Sequence, residues 1–168
     1  MPRTVAPKAP LDHPNLTTMG LFVETYAGLA SATGPRLEAD HGLSAQWFEV
    51  LLRLVRTPGH RLRMSDLAAQ TTLSASGLTR VVDRLEAAGL VARAACPSDR
   101  RGSYAVLTDA GEARIVDAVP GHVAQLTELL ERALDTAEIA TLTTLLRRLR
   151  DAVNPEAERA SRPNDCDA

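Results

Sequence analysis

The sequence predicts a mainly α fold with a small β-hairpin wing, and three observations point to it. Apolar residues recur at helical spacing along almost the whole chain. Between Ser65 and Ala88 two helical stretches are separated by a short turn, "TTLS". One pair of β-compatible runs, "LVARAA" and "SYAVLT", interrupts the helicity around the turn residues "CPSDRRG".

The chain has 168 residues, which suits one domain able to bury a core without disulfides or metals. Its 45% hydrophobic and 24% charged residues are those of a globular protein. There is no uncharged apolar run long enough for a membrane span, so no membrane partner is expected. The first residues, "MPRTVAPKAPLDHPNL", carry four prolines and no apolar signal-peptide core. Residues 1–15 therefore read as a disordered arm, and the protein as soluble and cytoplasmic. Of the two cysteines, Cys96 and Cys166, the second sits in a polar tail, which argues against a structural disulfide.

Residues 16–57 form the N-terminal helices. The first, over 16–40, shows Leu16, Met19, Leu21, Phe22, Tyr26, Leu29 and Ala30, and Gly34-Pro35 should bend or interrupt it. The second starts at Ser44 as N-cap and ends at Thr57-Pro58-Gly59. Phe48, Leu51, Leu52 and Val55 make one stripe, and Trp47, Val50 and Leu54 cover a second side, so this helix should be central to the core.

Residues 58–108 hold the helix-turn-helix and the wing. Ser65 should cap a short helix through Gln70, and Ser74 or Ser76 a second one running to Ala88. Leu78, Val81, Val82 and Leu85 on one stripe leave Ser76, Thr79, Arg80 and Asp83 on the opposite face, with Arg84 at its margin. Gly89 is a natural terminator. Two such helices followed at once by a hairpin make a winged helix-turn-helix, whose tip carries Asp99, Arg100 and Arg101.

Residues 109–153 return to helix. Thr108 caps a helix whose Asp109 and Glu112 favour its positive dipole end, and whose apolar stripe runs from Ile115 and Val116 to Leu130. Pro120-Gly121 predicts a kink or a break within it. A last helix after Asp135-Thr136 spaces Ile139, Leu142, Leu146, Leu149 and Val153 about 3.5 residues apart, a period suited to helix association. Residues 154–168 read as a disordered tail.

The net charge of -2 hides an asymmetry. Residues 53–101 hold nine arginines and four acids, a net +5, which leaves -7 for the rest. Basic charge gathered on less than a third of an acidic chain is the footprint of nucleic-acid contact, although a salt-bridged surface would also produce it.

In order and in motif, residues 16–153 resemble the MarR family of transcriptional regulators. The resemblance rests on "MSDLAAQTTLSASGLTRVVDRLEAAGLVAR", on Asp99-Arg100-Arg101, and on Leu107-Thr108-Asp109-Ala110-Gly111 at the end of the wing. It implies a homodimer whose first and last two helices intertwine, with Leu142, Leu146 and Leu149 in the seam. It implies double-stranded DNA as partner, with Ser74 to Arg84 supplying the major-groove helix and the wing entering the minor groove. The second arginine of the family motif inserts and the aspartate orients it, roles that fall here to Arg101 and Asp99, with Arg100 left for a phosphate or a partner carboxylate. Arg80 and Arg84 suit guanine or phosphate, with an Arg80–Asp83 ion pair as the competing reading. Ser74, Ser76 and Thr79 suit phosphate beside the helix N-terminus. Arg61, Arg63 and Arg93 flank the sheet and touch DNA backbone or nothing.

The resemblance further implies a small, often aromatic or phenolic, effector that releases a repressor from its operator. Tyr26, His41, Trp47 and Phe48 are candidates to line its pocket, with core packing as the alternative for each. Redox control through Cys96 and use of the winged helix as a protein-interaction module are the competing functions. His13, His41, His60 and His122 are scattered, so neither a metal nor another cofactor is expected. The chain carries no nucleotide-binding glycine loop, His-Glu-x-x-His pattern or Gly-x-Ser-x-Gly elbow, which argues against an enzyme.

Overall fold

A computed structural model describes residues 12–96, 99–155 and 157, with the side chains of 96 and 99–101 outside the description. In chain order the elements are α1 (Pro14–His41), α2 (Ala45–Arg56), a short 3-10 turn (Pro58–His60), β1 (Arg61–Arg63), α3 (Met64–Gln70), α4 (Ala75–Ala87), β2 (Val91–Cys96), β3 (Asp99–Leu107), α5 (Asp109–Glu131) and α6 (Thr136–Val153). The three strands form one antiparallel sheet in the order β1-β3-β2.

The core gathers around α2, as its two apolar sides predict. Phe48, Val50, Leu51 and Leu54 are buried on it. They meet Leu67 of α3, Leu78, Val82 and Leu85 of α4, Leu62 of β1, Val91 of β2 and Ile115 of α5. Ser44 caps α2 by accepting the Trp47 N–H at 3.2 Å, and Thr108 caps α5 by accepting the Gly111 N–H at 3.0 Å. Of the two serines that could cap α4, Ser74 does so, accepting the Gly77 N–H at 3.2 Å. Asp135 and Glu138 close a reciprocal capping box on α6.

Several expectations need correction. Neither proline interrupts its helix: α1 runs through Pro35 and α5 through Pro120. Proline deprives the carbonyl four residues earlier of its partner, but Ser31 and Pro35, like Val116 and Pro120, are exposed, where water can replace the lost bond. Thr33 and Gln125 add bonds to α1 carbonyls near Pro35, to Leu29 at 2.9 Å and to Ala32 at 2.8 Å. Ser65 is not a cap, because α3 starts one residue before it and its N-cap, Arg63, makes no side-chain cap bond. The predicted hairpin forms from β2 and β3, and β1, which the sequence did not mark, pairs with β3 on its far side.

At both ends ordered structure extends into the stretches expected to be arms. α1 begins at Pro14, inside the predicted arm, because proline is tolerated in a first turn and the His13 Nδ1 accepts the Asn15 N–H at 3.1 Å. At the other end Asn154 donates its side-chain amide to the Ala69 carbonyl at 3.0 Å, tying the end of α6 to α3, and Ala157 is buried. Residues 1–11 and 158–168, with Cys166 among them, lie outside the described residues.

Candidate nucleic-acid interface

The α3–turn–α4 unit is fixed from behind. Glu49 of α2 accepts both the main-chain N–H and the hydroxyl of Thr72, each at 3.1 Å, which anchors the turn. Burial of Leu78, Val81, Val82 and Leu85 sets the rotation of α4 about its axis. Ser74, Ser76, Thr79, Arg80, Asp83 and Arg84 are consequently all exposed, as the periodicity predicts. The Ser74 and Ser76 hydroxyls lie 3.4 Å apart at the helix start, and the Thr79 hydroxyl donates to the Ala75 carbonyl at 3.0 Å.

The basic groups sort into two kinds. Among the described residues Arg80 and Arg84 form no ion pair, and Asp83, the expected rival partner of Arg80, instead takes the Arg93 guanidinium at 2.6 Å. Arg61 and Arg63 both lie over the Tyr104 ring, 5.5 and 5.8 Å from its centroid, and the Arg63 Nε donates to the Tyr104 hydroxyl at 3.4 Å. Arg61, Arg63 and Arg93, expected to touch DNA backbone or nothing, are thus each engaged within the chain.

The hairpin follows α4 through Gly89, whose φ of +73° is open to glycine at little cost. The Gly89 N–H bonds to the Glu86 carbonyl and the Leu90 N–H to the Leu85 carbonyl, each at 2.9 Å, closing a Schellman turn. Pairing then runs from Val91 with Leu107 to Ala95 with Ser103, and resumes at Cys96 with Asp99 across a register shift. Arg100, Arg101 and Gly102 are therefore the extra residues of a bulge within β3, not a free loop as the turn residues suggested. The side chains of Cys96, Asp99, Arg100 and Arg101 lie outside the described residues.

The four effector candidates are not brought together. Tyr26 is exposed on α1, in an apolar groove of about 560 Å³ with Phe22, Leu29, Ile139, Leu142 and Leu146. His41 binds Asp117 through Nδ1 at 2.9 Å. Trp47 shares a cleft with Glu38 and Arg84. Phe48 is core, 6% exposed, with its ring 4.5 Å from that of His122. Sequence reasoning missed a cleft of about 380 Å³ between α2 and α5, lined by Leu52, Val55, Arg56, Ile115, Val116, Val119 and Pro120. Its only signal was that Leu52 and Val55, and Val116 and Val119, repeat at three-residue spacing on two separate helices.

A helix-turn-helix with an exposed basic outer face, followed by a hairpin, defines a winged-helix DNA-binding regulator. Comparison with known proteins agrees. The MarR family model matches residues 41–102. The transcriptional regulator MhqR of Bacillus subtilis is 32% identical over 109 residues, 65% of this chain and 73% of MhqR. Sco3205, a MarR family regulator from Streptomyces coelicolor solved with DNA, is 28% identical with a TM-score of 0.74, covering 92% of this chain and 93% of its own. BpsR of Bordetella bronchiseptica, whose DNA binding is regulated by 6-hydroxynicotinic acid, is 26% identical with a TM-score of 0.69, over 80% of this chain and 99% of its own. The chain belongs to the MarR family, whose members are transcriptional regulators and not enzymes.

Proposed function

We propose that the chain is a cytoplasmic homodimeric repressor that binds a pseudo-palindromic operator and leaves it on binding a small aromatic acid. The observation that carries this reading is the outer face of α4, where Arg80 and Arg84 are exposed without an ion pair among the described residues, beside a strand that opens with Asp99-Arg100-Arg101. Ser74, Ser76 and Thr79 meet phosphate, Arg80 and Arg84 the major groove, and Arg101 the minor groove with Asp99 orienting it.

Dimerisation is supported by the apolar faces that one chain leaves uncovered. Leu16, Met19, Leu21, Phe22, Val23 and Tyr26 of α1 and Leu142, Leu145, Leu146 and Leu149 of α6 are all exposed, and monomers rarely display apolar patches of this extent. A two-fold axis through such an interface sets half-sites about one helical turn apart. Repression needs only that the bound dimer obstruct the promoter, with no added contact to the polymerase.

The effector fits the α2–α5 cleft, where six apolar or aliphatic residues would cover a ring and Arg56 would meet a carboxylate. A small aromatic acid is also what regulates DNA binding in BpsR. The experiment is fluorescence anisotropy on a labelled duplex from the gene's own upstream region, at several salt concentrations, with unrelated duplex as competitor. Binding that survives the competitor and is reversed by an aromatic acid supports the reading. Binding abolished by the competitor, on this duplex and on duplexes selected from a random pool, refutes it.

A further inference from the structure

The recognition helix carries an acid where acid should be unwelcome. Asp83 shares the exposed face of α4 with Arg80 and Arg84, and a carboxylate there repels phosphate. Its partner lies on another element. Arg93 of β2 reaches back to α4 and places its guanidinium 2.6 Å from the Asp83 Oδ1 and, through Nε, 3.4 Å from the Glu86 Oε2. The other oxygen of Glu86, Oε1, accepts the main-chain N–H of Arg93 at 3.1 Å. Strand and helix are thus tied three times, by side chain and by backbone, across the turn that contains Gly89.

Among the described side chains of β2 beyond Val91, little else fastens the outer hairpin to the helix. After Val91 the remaining described side chains of β2 are Ala92, Ala94 and Ala95, all exposed and too small to grip α4. We propose that Arg93 is a positioning residue that locks the hairpin to α4 through Asp83 and Glu86, fixing the angle at which helix and wing enter adjacent grooves. The inference rests on the DNA-binding reading of α4 and β3. An exposed ion pair adds little to folding stability, so the clamp acts on geometry, where a small misplacement of either the helix or the wing weakens the grip of the other.

The test turns on a difference of sign. The double variant Asp83→Asn with Glu86→Gln keeps side-chain size but removes two negative charges from the DNA-facing region. Electrostatics alone then requires tighter binding to any duplex, whereas loss of the clamp requires weaker binding to the operator. Anisotropy with full-length protein, on a duplex selected from a random pool by the wild type, should show operator affinity falling about tenfold, comparable to the effect of one mismatched base pair. Affinity for unrelated duplex should hold or rise, and the melting temperature should stay within about 4 °C of wild type. Arg93→Lys, which keeps the charge but not the fork, should recover only part of what Arg93→Ala loses. Operator binding as tight as or tighter than wild type in the double variant would overturn the clamp. A wild type that selects no preferred sequence would overturn the DNA-binding reading and the clamp with it.

Discussion

A Cβ added to Gly111 would stand 2.0 Å from the carbonyl oxygen of Leu90 and 2.8 Å from the Leu107 Cδ1. The first turn of α5 rests directly on the backbone joining α4 to the hairpin, and only glycine permits that approach. Thr108 completes the joint: its hydroxyl donates to the Gly89 carbonyl at 2.7 Å while accepting the Gly111 N–H, and its own N–H bonds to the Leu90 carbonyl at 3.2 Å. Gly111→Ala should therefore destabilise the protein by about 3 kcal/mol, at the upper end for overpacking because the obstacle is main chain. A urea unfolding midpoint lowered with unchanged slope would show it; an unchanged midpoint would mean that α5 shifts freely.

The same joint shows how far the sequence can be read. Leu107 to Gly111 was legible as a motif, and so were the caps at Ser44 and Thr108 and the stripe of α4, because each is a local pattern that a few neighbouring residues complete. What Gly111 does was not, since Leu90 lies 21 positions away. Non-local partners explain the other gaps. β1 is three residues long and exists only through β3. Arg93 has no partner in its own strand, and only the turn at Gly89 brings Asp83 and Glu86 beside it. Tyr26, His41, Trp47 and Phe48 were candidates for an effector pocket with core packing as the alternative, and Phe48 is core while the four sit in different neighbourhoods; the α2–α5 cleft is lined mostly by aliphatic residues about 60 positions apart.

If Arg80 and Arg84 meet phosphate or guanine as proposed, replacing either with alanine should weaken operator binding. Where the partner is a phosphate, the slope of log affinity against log salt should fall by about one, uniformly across sequences. Where it is a base, the change should instead cost about 1–3 kcal/mol and relax preference at one position. Anisotropy on the operator and on single-base variants separates the two, and no change in either arginine variant would remove α4 from the interface.

Arg101→Ala should lower affinity about tenfold for an operator with an A·T-rich flank and less for a G·C-rich one, since the narrow A·T minor groove concentrates the negative potential an arginine meets. An equal loss on both flanks would assign Arg101 to a phosphate instead.

The α6 face predicts an oligomeric state. Leu142, Leu146 and Leu149 are 38%, 41% and 46% exposed in a single chain. Leu146→Glu would place a charge at the centre of that row, and burying it unpaired in a dimer costs several kcal/mol. Sedimentation at micromolar concentration should show a dimeric wild type and a monomeric variant that retains its helical signal. A monomeric wild type would refute the proposed interface.

His122 ties stability to pH. Its ring packs on Phe48 where α5 meets the core, its Nδ1 is buried without a hydrogen-bond partner among the described residues, and burial lowers its pKa from the ordinary 6.5. The unfolded chain therefore binds a proton at this position at a higher pH than the folded one does. Between the two pKa values the unfolded state holds more protons, so stability falls as pH drops below about 6.5 and levels off once the folded imidazole is also charged. Arg36, Asp40 and His41 line the same small pocket as His122, so a variant is needed to isolate its contribution. His122→Phe keeps a ring against Phe48 and removes the proton site. Thermal melting from about pH 7.5 to pH 5 should show the variant losing fewer degrees than wild type, with the difference opening in the range where histidine titrates. Parallel curves would mean that the folded and unfolded chains protonate His122 alike.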